Sequence, residues 1–100
     1  MNPLTEALLL EIAQSCAGYQ TTRKINFAEL NQLSIENPLV SQDLPSMPGD
    51  YYQVEFETPE QATGFRAELG SRGFTNAHVT TNGVAFALVV INEDFENPYQ

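Results

Sequence analysis

One hundred residues are enough for one domain with a modest core, and 42% of them are hydrophobic. Thirteen Asp and Glu against four Lys and Arg give a formal net charge of -9. Phosphate backbones and anionic lipids are bound through Lys and Arg, so this charge argues against nucleic acid and membranes as direct partners. A protein with a basic surface is the natural complement, because opposite electrostatic fields raise the encounter rate.

The sequence also indicates a compartment. Cys16 is the only cysteine and allows no internal disulfide, the N-terminal residues lack the basic segment of a signal peptide, and no run approaches the roughly 18 apolar residues of a membrane span. We therefore expect a cytoplasmic protein, located in the host cell cytoplasm if a phage encodes it.

The first helix signal lies at the N-terminus. Apolar residues recur every four positions from Leu4 to Cys16, which is the spacing of one helix face. Asn2 can cap the helix, and Pro3 suits its first turn, where the missing N–H costs nothing. The pattern predicts a helix that starts at these two residues and is stopped by Gly18 in a left-handed conformation.

The next stretch is less regular. Residues 19–25 predict either a loop or a short edge strand. The capping-box spacing of Asn26 and Glu29 predicts a second helix. Residues 36–50 contain three prolines, which oppose helix, together with enough apolar residues to predict an extended segment on the core rather than a free linker.

From residue 51 the pattern changes to period two. Tyr52, Val54 and Phe56 alternate with polar residues, which predicts a strand with one wet face carrying Gln53 and two glutamates. A helix follows, because Thr58 and Gln61 have capping-box spacing around Pro59. Its buried stripe is expected to contain Ala62, Phe65 and Leu69.

The last part of residues 51–91 predicts a hairpin. β-Branched residues flank Asn82 and Gly83, the pair best suited to two positive φ angles. The unbroken apolar run from Val84 to Ile91 predicts a central strand covered on both faces. We expect His78 to be an exposed residue of the strand before it.

Together these elements predict a single α+β domain. Two N-terminal helices pack on one face of a β-α-β-β unit whose three strands form an antiparallel sheet in the order 1-3-2, and the helix of the unit covers the other face. The parts are a helical segment at 1–35, the Pro-rich connection at 36–50, the β-α-β-β unit at 51–91 and an acidic tail at 92–100. In its order of elements the unit resembles half of a ferredoxin-like fold and one repeat of an ACT-type or SPOR-type module. A resemblance of element order carries no function across.

No chemistry-bearing constellation is expected. His78 lacks a nucleophile or an orienting carboxylate at a recognisable spacing, and Cys16 ends an apolar helix stripe as a buried thiol. These two residues are too few ligands for a metal site. We therefore predict no catalytic residues, no metal site, no cofactor and no enzymatic activity.

The acidic residues of the C-terminal half are the candidate partner-binding surface. Acids on the strand and in the tail complement a basic partner, and the two tail aromatics would anchor it. This predicted surface consists of Glu55, Glu57, Glu93, Asp94, Phe95, Glu96 and Tyr99.

We therefore expect a non-catalytic protein that binds a macromolecule with a basic surface. Within that class we favour an inhibitor or regulator of a nucleic-acid-handling machine, because phage anti-defence proteins such as anti-CRISPRs are often small and acidic. One alternative is a structural or assembly component, for instance of a virion. Another is an ACT-like regulatory module, which would leave a sheet face open to a second copy. Each of these functions is compatible with a homodimer.

Overall fold

The computed structural model describes residues 3–42 and 49–92. These two stretches form one α+β domain with four helices and four strands. The elements are α1 (Glu6–Gln14), β1 (Tyr19–Ile25), α2 (Phe27–Glu36), α3 (Pro38–Ser41), β2 (Asp50–Phe56), α4 (Pro59–Arg72), β3 (Ala77–Thr80) and β4 (Phe86–Ile91).

The strands form one antiparallel sheet in the order β1-β2-β4-β3. β4 lies between β2 and β3, and its last residue, Ile91, pairs with both Asp50 and Ala77. The predicted three-stranded sheet is therefore incomplete, because residues 19–25 form a fourth strand along β2. The sequence predicted either a strand or a loop there. Consecutive polar residues such as Arg23 and Lys24 leave no alternation of apolar and polar positions that would indicate a strand.

The two N-terminal helices lie on opposite faces of the sheet, so the prediction that both cover the same face is wrong. α1 joins α4 on the first face. The chain then runs along the sheet edge as β1, and α2 and α3 cover the second face. An edge strand between two helices allows the chain to pass from one face to the other, which explains the correction.

The first face carries the main core. Phe65 of α4 is fully buried and its ring centroid lies 5.2 Å from that of Phe56. As predicted, Tyr52 and Val54 point to this side with Phe56. The cluster comprises Leu4, Leu9, Ile12, Ala13, Tyr52, Val54, Phe56, Ala62, Phe65, Leu69, Ala87, Val89 and Ile91.

The second face carries a smaller core of Ile25, Leu30, Val40 and Leu88. The predicted wet face of β2 is only partly wet, because Gln53 is 5% exposed. Arg23 of the neighbouring strand donates to its Oε1 at 2.7 Å, which satisfies the amide oxygen of this buried side chain. Sequence alternation could not reveal this partner on another strand.

The helix ends are defined by side-chain caps. α4 begins as predicted, since the side chains and backbones of Thr58 and Gln61 form a reciprocal capping box. The predicted start of α1 is wrong: the helix begins at Glu6, and Thr5 accepts from the Leu8 N–H at 3.2 Å. Pro3 and Leu4 therefore precede the helix.

Gly18 does not end α1, whose C-cap is Ser15. It takes a φ of 79° where the chain turns into β1, and its carbonyl accepts from the Glu57 N–H at 3.0 Å. A Cβ at Gly18 would collide with the side chain of Gln61. Gly18 is thus required by a turn and a close approach rather than by a helix stop.

The hairpin between β3 and β4 exists, but its turn differs from the prediction. Gly83 has a φ of 71°, whereas Asn82 does not take a positive φ. The strands are joined by residues 81–85, and Thr81 Oγ1 closes this loop by donating to the Phe86 carbonyl at 2.8 Å. Within 3–42 and 49–92, no helix is long and apolar enough to cross a membrane.

Candidate interaction surfaces

Two of the seven predicted partner-binding residues lie in the described part of the chain. Glu55 is half-buried on β2, and its Oε2 lies 3.6 Å from Nε of Arg23. Glu57 is exposed directly after β2. The other five, Glu93, Asp94, Phe95, Glu96 and Tyr99, lie outside the described residues.

The strand acids and the root of the tail lie at opposite ends of the sheet. Ile91 pairs with Asp50, so Asn92 starts beside the exit of the Pro-rich connection, as the sequence predicts. Glu55 is five residues further along β2, about 17 Å away at ~3.4 Å per residue. Glu57 lies beyond it. The fold therefore does not bring these two glutamates to the point where the tail begins.

Basic side chains in the described part are mostly paired with acids. Nζ of Lys24 lies 3.5 Å from Asp50, and Arg72 lies 2.9 Å from Glu68 one helical turn earlier. Such exposed pairs add roughly 0–1 kcal/mol each, but each one cancels a positive charge locally. The guanidinium of Arg66 has no ion pair within the described ranges.

Several exposed acids have no such neighbour. Glu11 of α1 and Glu57 form neither a hydrogen bond through the side chain nor an ion pair in the described stretches. Glu60 lies in the first turn of α4, where its negative charge interacts favourably with the helix dipole. These acids thus lie on α1, directly after β2 and at the start of α4.

The side chains of Cys16 and His78 are both partly buried in the fold. The thiol of Cys16 is partly buried and donates to the Ile12 carbonyl at 3.4 Å. Burial and, to a smaller extent, the Glu68 carboxylate raise its pKa, while Ser15 and Arg72 oppose the shift. A raised pKa disfavours the reactive thiolate.

His78 is half-buried, so its predicted exposure is wrong. Its Nε2 is buried and has no hydrogen-bond partner among the residues that the structure describes. Among residues 3–42 and 49–92, no group of three or more His, Cys, Asp or Glu side chains is arranged to hold a metal ion.

A cleft of about 290 Å³ lies between the C-terminal half of α4 and β3. Its walls are mainly apolar, and Arg66 stands at it as the charged side chain. Gly70 in α4 and Gly73 directly after it contribute no side chain to this wall. The lining is completed by Leu4, Ala67, Leu69, Phe74, Ala77, His78, Val79 and Val89.

Sequence reasoning missed this cleft because its residues come from the N-terminal segment, α4, β3 and β4. The stretch "LGSRGF" at residues 69–74 is a local signal for the end of a helix and gives no indication of a cleft. Gly73 ends the helix as its C-cap, in a left-handed conformation at φ 64°, whereas Gly70 lies within α4. The same glycines also shape a wall of the cleft.

A third feature is a set of exposed apolar side chains on α2 and α3. Phe27 is 72% exposed, Ile35 75% and Leu39 58%. A shallow groove of about 510 Å³ lies beside Phe27, between α2 and the Lys24–Asp50 ion pair. Isolated surface hydrophobes are common, but three on adjoining helices form a candidate contact surface.

Comparisons of the chain with protein-family models, with curated proteins and with solved structures found no match.

Proposed function

We propose that the protein is a non-catalytic module that binds a macromolecule with a basic surface. The partner belongs to a nucleic-acid-handling machine, and binding inhibits or regulates that machine. Phage anti-defence proteins of the anti-CRISPR type act in this way. The observation that carries the proposal is the charge: a formal net charge of -9 on 100 residues. Such a field steers a basic partner towards the protein and repels other acidic surfaces.

The pairing of charges supports this proposal. Three of the four basic residues are neutralised locally by Glu55, Asp50 and Glu68. The exposed acids Glu11 and Glu57 keep their charge open to solvent. Since folding gains nothing from uncompensated acids on a surface, a basic partner gives them a role.

The test is an affinity purification of the tagged protein from its native cells, read by mass spectrometry. The tail variant Glu93→Gln/Asp94→Asn/Glu96→Gln is compared with the control Glu29→Gln/Glu36→Gln/Glu68→Gln, which removes the same charge from α2 and α4. A nuclease, polymerase or other nucleic-acid-binding partner should be retained by the control and lost with the tail variant.

For a recovered partner, the association rate is then measured against ionic strength. A steered complex slows steeply with added salt, and the tail variant should flatten that slope more than the control does. Equal slopes for all three proteins would reject the acidic tail as the binding surface, and an enzymatic activity of the purified protein would reject the non-catalytic assignment.

The second candidate is a structural or assembly component, favoured by the exposed Phe27, Ile35 and Leu39. Apolar side chains on adjoining helices suit contact with a neighbouring subunit. Recovery of shell or scaffold proteins, lost with Phe27→Ser/Ile35→Ser and retained with the tail variant, would favour this function over the first.

The ACT-like alternative gains less support. It requires a sheet face open to a second copy, whereas α2 and α3 lie on the second face with Leu30 and Val40 against Leu88.

A further inference from the structure

The sheet has an unpaired edge beside the cleft described above. β3 has β4 as its neighbour on one side, and no strand among the described residues pairs with its other side. We propose that this edge and the cleft bind an extended peptide segment of a partner protein, with apolar side chains at alternate positions and a carboxylate for Arg66. Its residues differ from those predicted to bind a basic partner, and the inference does not rest on the proposed function.

The hydrogen-bond pattern of β3 shows which backbone groups are available. Asn92 donates its N–H to the Asn76 carbonyl at 2.9 Å, which marks this pair as hydrogen-bonded across β3 and β4. Such pairs alternate along an antiparallel ladder, so His78 and Thr80 also bond to β4. Ala77 and Val79 therefore direct their N–H and C=O groups away from β4, towards the free edge.

The side chains of the same two residues point towards the cleft. Ala77 and Val79 pack against the core of the first face, beneath α4. In an antiparallel pair, directly opposed residues project their side chains to the same face. Peptide residues hydrogen-bonded to Ala77 and Val79 would therefore place their side chains between β3 and α4, two positions apart.

The walls of the cleft define what those side chains should be. Leu69 and Phe74 line it together with Val79, and Gly70 leaves space on the helix flank. A volume of about 290 Å³ accommodates two medium-sized apolar side chains rather than a bare backbone. Backbone pairing supplies affinity in this mode of recognition, and pockets for alternate side chains supply selectivity.

Arg66 adds a charge requirement. It lies at the cleft and, in the described part of the chain, has no acid partner, unlike Arg72 on the opposite flank of α4. A guanidinium at the rim of an apolar cleft binds carboxylates by charge-assisted hydrogen bonds. An aspartate, a glutamate or a C-terminal carboxylate of the peptide would fill this role.

A partner peptide fits the cleft better than a second copy of this chain. Two copies would bring together surfaces that each carry a formal net charge of -9. Pairing of β3 with β3 would also offer the cleft only Ala77 and Val79, which are small for its volume. The complement to Arg66 would remain missing.

The probe is a random heptapeptide library displayed on phage and selected on the immobilised full chain, followed by synthesis of the enriched peptide. We expect apolar residues at alternate positions next to an acidic residue. Amide hydrogen exchange of the labelled protein should show new protection at Ala77 and Val79 when the peptide is added. The amides of His78 and Thr80, already bonded to β4, should not change. Protection confined to any other element would overturn the proposal.

Val79→Pro removes the outward N–H without removing a bond to β4, and proline is tolerated at such edge positions. It should weaken binding by at least tenfold. Methylating the peptide nitrogens one at a time tests the same bonds without altering the protein: loss at alternate positions supports strand addition, and no loss at any position overturns it. Peptides that bind Val79→Pro as tightly as the wild type, in a folded variant, also overturn it.

Arg66→Gln should weaken the peptide about tenfold, as expected for one charge-assisted contact. The matched control, Arg72→Gln, removes the same charge from the other flank of α4 and should change affinity less than twofold. Equal losses in the two variants would reject the role of Arg66. Two outcomes would assign the cleft to another occupant and overturn the proposal: a wild-type dimer that Val79→Pro dissociates, or peptide binding strengthened tenfold by Phe95→Ser/Tyr99→Ser in the tail.

Discussion

The two edges of the sheet differ in how they are protected. β1 has seven residues, an irregularity between Tyr19 and Thr21, and the charged side chains Arg23 and Lys24, which pair with acids on β2. β3 has four residues, carries no formal charge and borders an apolar cleft. Bulges and charges are devices that keep edge strands from pairing with other chains. The contrast identifies β1 as the guarded edge and β3 as the one suited to a partner strand.

A polar substitution in β4, which lies between β2 and β3, should have the largest effect on stability. Leu88 lies in β4 and is 2% exposed, so Leu88→Asp places a carboxylate without a partner in the second core. We expect a loss of several kcal/mol in the free energy of unfolding.

Urea unfolding followed by circular dichroism measures the loss, with Leu39→Asp as the control, because Leu39 is 58% exposed. A Leu88→Asp protein as stable as that control would contradict a central position of β4.

The start of β3 depends on Asn76, which is 2% exposed. Its Oδ1 accepts from the Leu4 N–H at 2.7 Å, and its Nδ2 donates to the Leu4 carbonyl at 2.8 Å. Asn76→Ala leaves two buried backbone groups without partners, which should cost about 2–3 kcal/mol by thermal or urea unfolding. Asn82→Ala in the exposed hairpin loop is the control and should cost less than about 0.5 kcal/mol. Similar values for both would show that Asn76 does not tie the N-terminal segment to this edge.

The start of β1 depends on Gly18. Gly18→Ala forces a side chain into a left-handed φ and displaces Gln61, which caps α4. We expect a loss of about 1–2 kcal/mol in unfolding free energy.

Gly64→Ala gives the opposite sign in the same assay. Gly64 lies in α4, and a Cβ there meets no atom within 4 Å. Alanine should therefore stabilise the helix by roughly 0.5–1 kcal/mol. A stabilising Gly18→Ala would contradict the turn described here.

Removing an exposed charge of the guarded edge should change stability least. Lys24→Thr deletes the exposed ion pair with Asp50 and should alter the free energy of unfolding by less than about 1 kcal/mol. Self-association should nevertheless rise, because less charge then opposes the pairing of β1 with another chain. Sedimentation velocity at increasing concentration measures this. A strictly unchanged sedimentation profile would show that the irregularity between Tyr19 and Thr21, rather than charge, protects β1.

Local patterns in the sequence determined the C-terminal core. The alternation of Tyr52, Val54 and Phe56 and the cap formed by Thr58 and Gln61 depend on neighbours within four residues, so they could be predicted. The same holds for the apolar run of β4, which is buried on both faces. The acidic tail was a compositional observation, and its role stays a prediction.

The tertiary structure alone decided how distant segments meet. β1 is a strand because β2 pairs with it, Gln53 is buried because Arg23 lies on that neighbouring strand, and α1 shares a face with α4 because β1 follows the sheet edge. The cleft could not be predicted for the same reason: Leu4, Arg66 and Val79 come together through contacts across the whole chain. Backbone hydrogen bonds form between strands of almost any sequence, and the burial of a residue depends on which segments pack against it. Sequence periodicity therefore determines which face of an element is apolar, and the assembled fold determines what that face meets.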